Sequence, residues 1–251
     1  MTDSDQRQAL QDTIYSSRNP TRKWLHQSRR EWIIESLSKY LVTLDSFVAE
    51  VGPGSGIYLP ELARRSNNVI AIDVDQTHLE RASKIALEYP HIRVVCNDIT
   101  QSTLSSNSLS LILCTEVLEH LPNSYLALSE MHRLLKPGGI LILTTPQRWS
   151  TVEMVAKIAL APPFISITRR LYREPVEPLG HINLMTAAEL KKQLHDAGFE
   201  ILEERLSGLY LPGIAECTGN LAVRLQKRLA KIFRNSPLKG LLWTQAYVLR
   251  A

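Results

Sequence analysis

Two short stretches carry residue types whose spacing could do chemistry. In FVAEVGPGSG, Phe47 to Gly56, an apolar run closes on Glu50, and Gly52, Gly54 and Gly56 follow at every second position. Glycines lacking Cβ let a ligand press on bare backbone, and a helix start after them would offer free N–H groups to an anion. Glu50 would repel a pyrophosphate there and attract a ligand with cationic groups. The third glycine also comes one residue early for the GxGxxG pattern of dinucleotide sites. In CTEVLEHLP, Cys114 to Pro122, Glu116, Glu119 and His120 stand at i, i+3 and i+4. On a helix these would share one face. Two carboxylates and an imidazole could ligate a hard divalent cation such as Mg; without one, His120 could serve as a general base. His181, in GHINLMT, is a further imidazole that could complete a metal site or act as a base on the substrate side.

The elements that must position these residues follow a regular alternation. SFVAEV, NVIAIDVD, IRVVCNDI, SLSLILCTEV, GILILTTP, EILEERL and WTQAYVLR read as strands. Between them YLPELARRS, QTHLERASKIALEYP and YLALSEMHRLLKPGG read as helices, the last stopped by Pro137-Gly138-Gly139. TAAELKKQLHDAGF reads as another, with Thr186 and Glu189 spaced as a capping box. Apolar strands alternating with helices predict an α/β, doubly wound, Rossmann-like fold. Its mostly parallel, seven-stranded sheet carries helices on both faces and helical lid insertions. The expected organisation is an N-terminal arm and helical cap over 1–44, then a cofactor-binding core over 45–206 with an insertion at 147–184. A basic amphipathic helical insertion and a final strand complete it over 207–251. Ligands of such sheets bind at the carboxyl ends of the strands, where both chemical stretches fall.

Composition and charge narrow the function classes. Of 251 residues, 44% are hydrophobic and 22% charged, as in globular proteins able to bury a core. No stretch approaches the ~18 apolar residues of a membrane span, and the polar start lacks the apolar run of a signal peptide, so a cytoplasmic location is expected. Cys96, Cys114 and Cys217 sit in apolar runs without metal-site spacing and read as buried, reduced thiols. The net charge of +4 is unevenly spread: Ser17 to Arg30 holds no acid, and none follows Glu216. Such asymmetry suggests an anionic partner. Near 219–234, Leu221, Leu225, Leu229, Ile232 and Phe233 are expected on one side of a basic helix, with most of the cations on the other. Arg169, Arg170 and Arg173 add a basic patch to the 147–184 insertion. A peripheral contact with an anionic membrane would suit these segments. A nucleic-acid partner is not expected, because few aromatics interleave the charges.

Three motifs, in order and on successive strands, resemble those of class I S-adenosylmethionine-dependent methyltransferases over most of residues 45–205. EVGPGSG is similar to the first, VIAIDVD to the second and VVCNDIT to the third. The resemblance implies S-adenosylmethionine as cofactor, with Glu50 toward its amino-acid end and Gly52, Gly54 and Gly56 along its carboxylate. Asp73 would take the ribose hydroxyls and Val74 would lie beside the adenine. Asp98 would accept from the adenine amino group, and Ile99 would lie against the ring. Thr115, ending the fourth strand, joins the cofactor-binding set. The EVLEH run is similar to that of the ubiquinone-biosynthesis O-methyltransferases and of the small-RNA 3′-terminal 2′-O-methyltransferases. Glu116, His120 and His181 are accordingly the catalytic candidates, and Glu116, Glu119 and His120 the candidate metal ligands.

The expected reaction is methyl transfer to a small or lipid-like acceptor, of quinone or polyprenyl kind, at oxygen or carbon. Two other readings stay open. One is an RNA 2′-O-methyltransferase with a Glu/Glu/His metal site. The other is an enzyme that binds the same cofactor for a different chemistry on a quinone. Intact Glu50, Asp73 and Asp98 argue against a pocket that has lost its function.

Overall fold

Strand β1, Phe47–Val51, is buried over its last four residues and lies inside the sheet rather than at an edge. In the computed structural model, which describes residues 19–41, 43–159, 180–211, 214 and 219–251, it pairs in parallel with β2, Asn68–Asp73, and with β4, Leu109–Thr115. Beyond β2 lies β3, Ile92–Cys96, also parallel. Beyond β4 lie β5, Leu135–Pro146, then β7, Thr244–Arg250, and β6, Glu200–Ser207. The order is β3-β2-β1-β4-β5-β7-β6, with β7 antiparallel to both neighbours. The chain winds outward from β1 to β3 and then returns to begin again at β4. That reversal leaves a crevice at the carboxyl ends of β1 and β4, and both chemical stretches open into it.

Strands covered on both faces read as near-continuous apolar runs, and β4 does so from Leu111 to Cys114. Leu111 and Leu113 point to one face, Ile112 and Cys114 to the other, and all four are fully buried. On the first face pack α1, Pro20–Tyr40, α2, Leu59–Ala63, and α3, Gln76–Glu88, through residues such as Ile33, Leu37, Leu59 and Ala82. On the second pack α4, Ser124–Leu134, and α6, Ala187–Asp196, through Leu128, Met131, Leu190 and Leu194. Helix α5, Thr151–Ala159, follows β5, and α7, Asn220–Arg234, precedes the last strand. The capping box at the start of α6 is present: the Thr186 hydroxyl accepts from Glu189 N–H, and the Glu189 carboxylate accepts from Thr186 N–H at 2.8 Å.

Four expectations are corrected. Pro137-Gly138-Gly139 does not stop a helix. Helix α4 ends at Leu134, and the glycines lie in β5, because Leu135 already pairs with Leu109 and the Gly138 N–H donates to the Ala251 carbonyl at 2.8 Å. Cys96 is exposed rather than buried, since it closes the edge strand, whereas Cys114 is buried as expected. The apolar residues of α7 share one arc of the helix but not one environment: Leu229 and Phe233, at the inner edge, pack near Leu206 and Leu209, while Leu221, Leu225 and Ile232 face out. The fourth correction, to the EVLEH run, belongs with the site below. Arg169, Arg170, Arg173 and Cys217 lie outside the described residues. Among the described residues, no helix is long and apolar enough to cross a membrane.

Removing one half of the α6 capping box tests how much that local signal stabilises the second face. Thr186→Ala is expected to lower unfolding free energy by about 1 kcal/mol, read as a lower urea midpoint with an unchanged slope. An unchanged midpoint would show that packing of Leu190 and Leu194 fixes the helix start without the cap.

Candidate active site

The glycine loop is built around an unusual acid. Glu50 is 1% exposed, and neither of its carboxylate oxygens has a hydrogen-bond partner among the described residues. Burial, followed by the nearby charge of Asp73, pushes its carboxyl well above the usual carboxylate range. Gly52, Gly54 and Gly56 have φ of +68°, +52° and +73°, in the left-handed region that disfavours a Cβ. Space forbids one as well. A Cβ on Gly52 would lie 2.4 Å from Val117 Cγ2, and one on Gly56 would lie 2.4 Å from Ile85 Cδ1. The following helix α2 is a single short turn, and within the loop the Gly52 and Gly56 N–H groups already donate to the Ile72 and Pro53 carbonyls at 2.9 and 2.7 Å, so bare backbone rather than a row of free amides is what the loop presents.

Parallel pairing brings the ends of β2, β3 and β4 to the same edge. Asp73 closes β2. Its Oδ1 accepts from the N–H groups of Val74 and Asp75 at 2.8 and 2.9 Å, and its Oδ2 lies 2.9 Å from Nδ1 of His78. The Asp73 hydrogen bond holds the His78 imidazole above its ordinary pKa. Val74, beside it, is 65% exposed. Asp98 accepts at Oδ1 from the Thr100 N–H and hydroxyl, both at 2.8 Å, and these bonds lower its pKa. Ile99 is packed into the core alongside Ile72. Thr115 is half-buried where β4 ends.

Beyond Thr115 the expected helical face does not form. Glu116 turns left-handed, with φ +55°, and its N–H donates to the Thr144 carbonyl. A left-handed non-glycine residue is strained, and here two bonds hold it. Oε1 accepts from the Thr144 hydroxyl at 2.9 Å, and Oε2 lies 2.5 Å from Nη1 of Arg29. A 3₁₀ turn, Leu118–His120, then redirects the next side chains. Glu119 is fully buried: Oε2 accepts from the Thr145 hydroxyl at 3.0 Å, while Oε1 has no partner among the described residues. Burial, then the charge of Glu116, raises its pKa well above the carboxylate range. Its carbonyl accepts from the N–H groups of Ile182 and Asn183, which draws the neighbouring His181 onto the turn. The His120 and His181 ring centroids are 5.3 Å apart, and His120 Nδ1 lies 3.2 Å from the Gly180 carbonyl oxygen. Burial, then His181, lowers the His120 pKa. On the far side, His181 Nδ1 lies 3.1 Å from the buried Glu153 carboxylate of α5.

One donor atom each from Glu119, His120 and His181 gather within 4.8 Å of one another. The expected trio of Glu116, Glu119 and His120 is therefore corrected. His181 takes the place of Glu116, whose carboxylate is drawn away by Arg29 and Thr144. Such a donor set could hold a divalent cation, or could pass a proton through His120.

Sequence reasoning missed the residues that surround this turn. Arg29, on α1, lies with its guanidinium carbon 5.0 Å from the Trp243 ring centroid, and His26 meets the same ring edge-on at 4.9 Å. Both come from the basic stretch before residue 31, which carried a charge signal and no positional one. Thr144, Thr145 and Glu153 gave no signal at all, being ordinary strand-end and helix residues until the sheet brings β5 beside β4.

Comparison with known proteins follows the same lines. Residues 49–143 match a family model described as a methyltransferase domain. The ubiquinone biosynthesis O-methyltransferase of Rickettsia akari is 30% identical over 186 residues, which cover 72% of this chain and 69% of that protein. The crystal structure of the cyclase SpnF aligns at TM-score 0.59 and 19% identity, over 87% of this chain and 79% of that one. The geranyl diphosphate C-methyltransferase of Streptomyces coelicolor, solved with Mg2+, geranyl diphosphate and S-adenosyl-L-homocysteine, aligns at TM-score 0.58 and 15% identity. That match covers 88% of this chain and 77% of the other. The two structures share the fold with this chain.

Glu50 offers a test that needs no ligand. Its folded pKa lies above its unfolded one, so its contribution to stability is complete below the unfolded pKa, near pH 4, and is lost as pH rises through the folded value. Glu50→Gln, which keeps the shape and removes the charge, should raise the melting temperature at pH 8 by about 3 °C or more. The gain should vanish toward pH 4. Scanning calorimetry at the two pH values checks this; a variant less stable at pH 8 would show that the carboxylate is satisfied in the folded chain.

Proposed function

This chain belongs to the class I S-adenosylmethionine-dependent methyltransferases, and we propose that it methylates a small or lipid-like acceptor of quinone or polyprenyl kind, at oxygen or carbon. The observation that carries the cofactor assignment is the partnerless buried carboxylate of Glu50 beside a glycine cradle. An acid left uncompensated in the free fold fits a ligand with an ammonium and a sulfonium. S-adenosylmethionine, when bound, supplies an electrophilic methyl group. Glu50 would lie toward its amino-acid end, and the bare backbone of Gly52, Gly54 and Gly56 along its carboxylate. Asp73 keeps acceptor capacity for ribose hydroxyls, since a carboxylate has about four lone-pair sites and three donors occupy it. Asp98 and Val74 would meet the adenine, with Ile99 beneath it and Thr115 at the rim.

On the acceptor side, His120 has the chemistry of a general base. Its lowered pKa leaves the imidazole neutral through the physiological range, able to accept a proton from an acceptor hydroxyl. His120 would take the hydroxyl proton as the acceptor oxygen is methylated. Activity governed by this group should rise with pH below neutrality and level off above the lowered pKa. His181, braced by Glu153, would orient the acceptor, and Arg29 would hold Glu116 aside. Similarity to the ubiquinone-biosynthesis relative supports the quinone-like acceptor.

A second reading rests on the Oε1 of Glu119, buried without a partner and gathered with His120 and His181. These residues fit a divalent cation, which would stabilise an acceptor oxyanion. His120 would then be a ligand, and RNA 2′-O transfer becomes an alternative use of the same donors. An acceptor presented at an anionic membrane surface suits a peripheral cytoplasmic enzyme.

The test follows release of S-adenosylhomocysteine with short-chain prenylated catechols as acceptors. His120→Gln should lower kcat by about 100-fold or more while S-adenosylhomocysteine affinity stays within a factor of two, and Asp73→Ala should weaken that affinity about tenfold. Undiminished turnover by His120→Gln would sink its role as base. Loss of activity on chelation, restored by Mg2+ or Zn2+ and absent from Glu119→Gln, would favour the cation reading. RNA affinity falling steeply with salt would favour the nucleic-acid alternative. Quinone turnover without S-adenosylhomocysteine release would point to non-methyl-transfer chemistry.

A further inference from the structure

Helix α7 turns an apolar stripe outward and surrounds it with cations. Leu221, Leu225 and Ile232 are 66%, 42% and 63% exposed. At i, i+4 and i+11 they fall in one narrow line along the helix. Arg224, Arg228 and Lys231 are exposed on the same side. The inward face is settled separately, by buried Ala222, Gln226 and Ala230. Exposed aliphatic side chains in line are not required by the fold, because Leu229 and Phe233 already supply the packing against Leu206 and Leu209.

The chemistry of this face selects its occupant. A protein partner ordinarily meets a surface of mixed charge, but no acid follows Glu216 in the chain. A nucleic acid would find cations without aromatic rings to stack on, the α7 stripe being wholly aliphatic. A bilayer surface matches both components. Leucine and isoleucine enter the acyl boundary, and arginine and lysine stems lie along it with their charges among the phosphates.

We propose that the outward face of α7 docks on an anionic phospholipid bilayer. For its purpose this rests on the reading of a lipid-like acceptor; for its geometry it does not. Gln226, on the inward face, donates to the Thr21 hydroxyl of α1 at 2.9 Å, and the Lys227 ammonium lies 5.8 Å from the Trp24 ring centroid of the same helix. Further along, α1 places Arg29 on Glu116. The docking helix is thus packed on the helix that reaches the catalytic turn.

The experiment uses the full chain with vesicles of phosphatidylcholine, either alone or mixed with phosphatidylglycerol, and measures co-sedimentation. Binding is expected on the mixed vesicles, at least about tenfold weaker on neutral ones, and reduced by salt. Leu225→Ser with Ile232→Ser, and separately Arg224→Glu with Lys231→Glu, should each weaken it about tenfold or more. S-adenosylhomocysteine titration of the same samples should be unchanged, showing the fold intact. Wild type that binds S-adenosylhomocysteine yet ignores anionic vesicles would overturn the proposal, as would vesicle binding that both double variants retain. A monomer–dimer equilibrium abolished by Leu225→Ser with Ile232→Ser, without vesicle binding, would assign the face to a second copy and overturn it equally. Vesicle binding by a chain that fails to take S-adenosylhomocysteine would leave the docking face standing and sink the cofactor assignment instead.

Discussion

A carboxylate buried without a partner is the constraint around which the rest of this molecule is arranged. Glu50 sits where β1 ends, inside a sheet whose neighbours on both sides are apolar. Burying such a group costs several kcal/mol unless it is protonated or paired. The free fold supplies no pairing side chain, so the acid holds its proton well above the usual carboxylate range and the surrounding sheet carries the cost wherever it ionises. It does so through a core continuous on both faces of β1 and β4. The same crowding explains the glycines. Val117 and Ile85 approach the loop so closely that a Cβ at Gly52 or Gly56 has no room. The loop is thereby pressed between the core and the crevice, bare of side chains, with the Gly52 and Gly56 N–H groups spent on the Ile72 and Pro53 carbonyls and one buried acid beside them.

The turn that follows β4 obeys a different logic, that of competition for carboxylates. Glu116 and Glu119 are three residues apart, and both lie beside β5, yet they take opposite surroundings. Glu116 is satisfied by a guanidinium and a hydroxyl from Arg29 and Thr144, and it accepts a strained backbone to reach them. Glu119 receives one hydroxyl and stays otherwise unmet beside two imidazoles. Two acids with such different environments cannot share a role. The paired one fixes α1 over the site; the unpaired one is chemically available.

The legible part of this structure was the part determined by local periodicity. Apolar runs of strand length, separated by helical patterns, placed five of the seven strands within two residues, because a doubly covered parallel sheet keeps polar positions few; β3 ends three residues before the expected end and β5 begins four residues before the expected start. The Thr186 cap was legible for the same local reason. The Glu50 and glycine sequence was legible because an acid followed by alternate glycines has few structural uses. Positions set by distant parts of the chain were not. Helical spacing put Glu116 with Glu119 and His120, but a left-handed turn decided otherwise, and only contact with Arg29 and Thr144 holds that turn. The α7 side chains were assigned to one side from apolarity alone, whereas packing against β6 took Leu229 and Phe233 and left Leu221, Leu225 and Ile232 outside.

Helix α1 joins these two levels. Its second half belongs to the core, with Ile33 and Leu37 fully buried, so it is anchored independently of any ligand. Its first half adds to buried Leu25 a set of polar and aromatic contacts: Thr21 with Gln226, His26 and Arg29 with Trp243, and Arg29 with Glu116. Directional contacts of this kind can be exchanged one at a time, while apolar packing yields only by opening the core. Packing through Leu25, Ile33 and Leu37 runs the length of the helix, so what can be exchanged is the set of polar contacts around Arg29 rather than the position of the helix. Glu116 stands three residues from Glu119, and loss of its pair with Arg29 would change the charge beside Glu119 and His120 without disturbing the core.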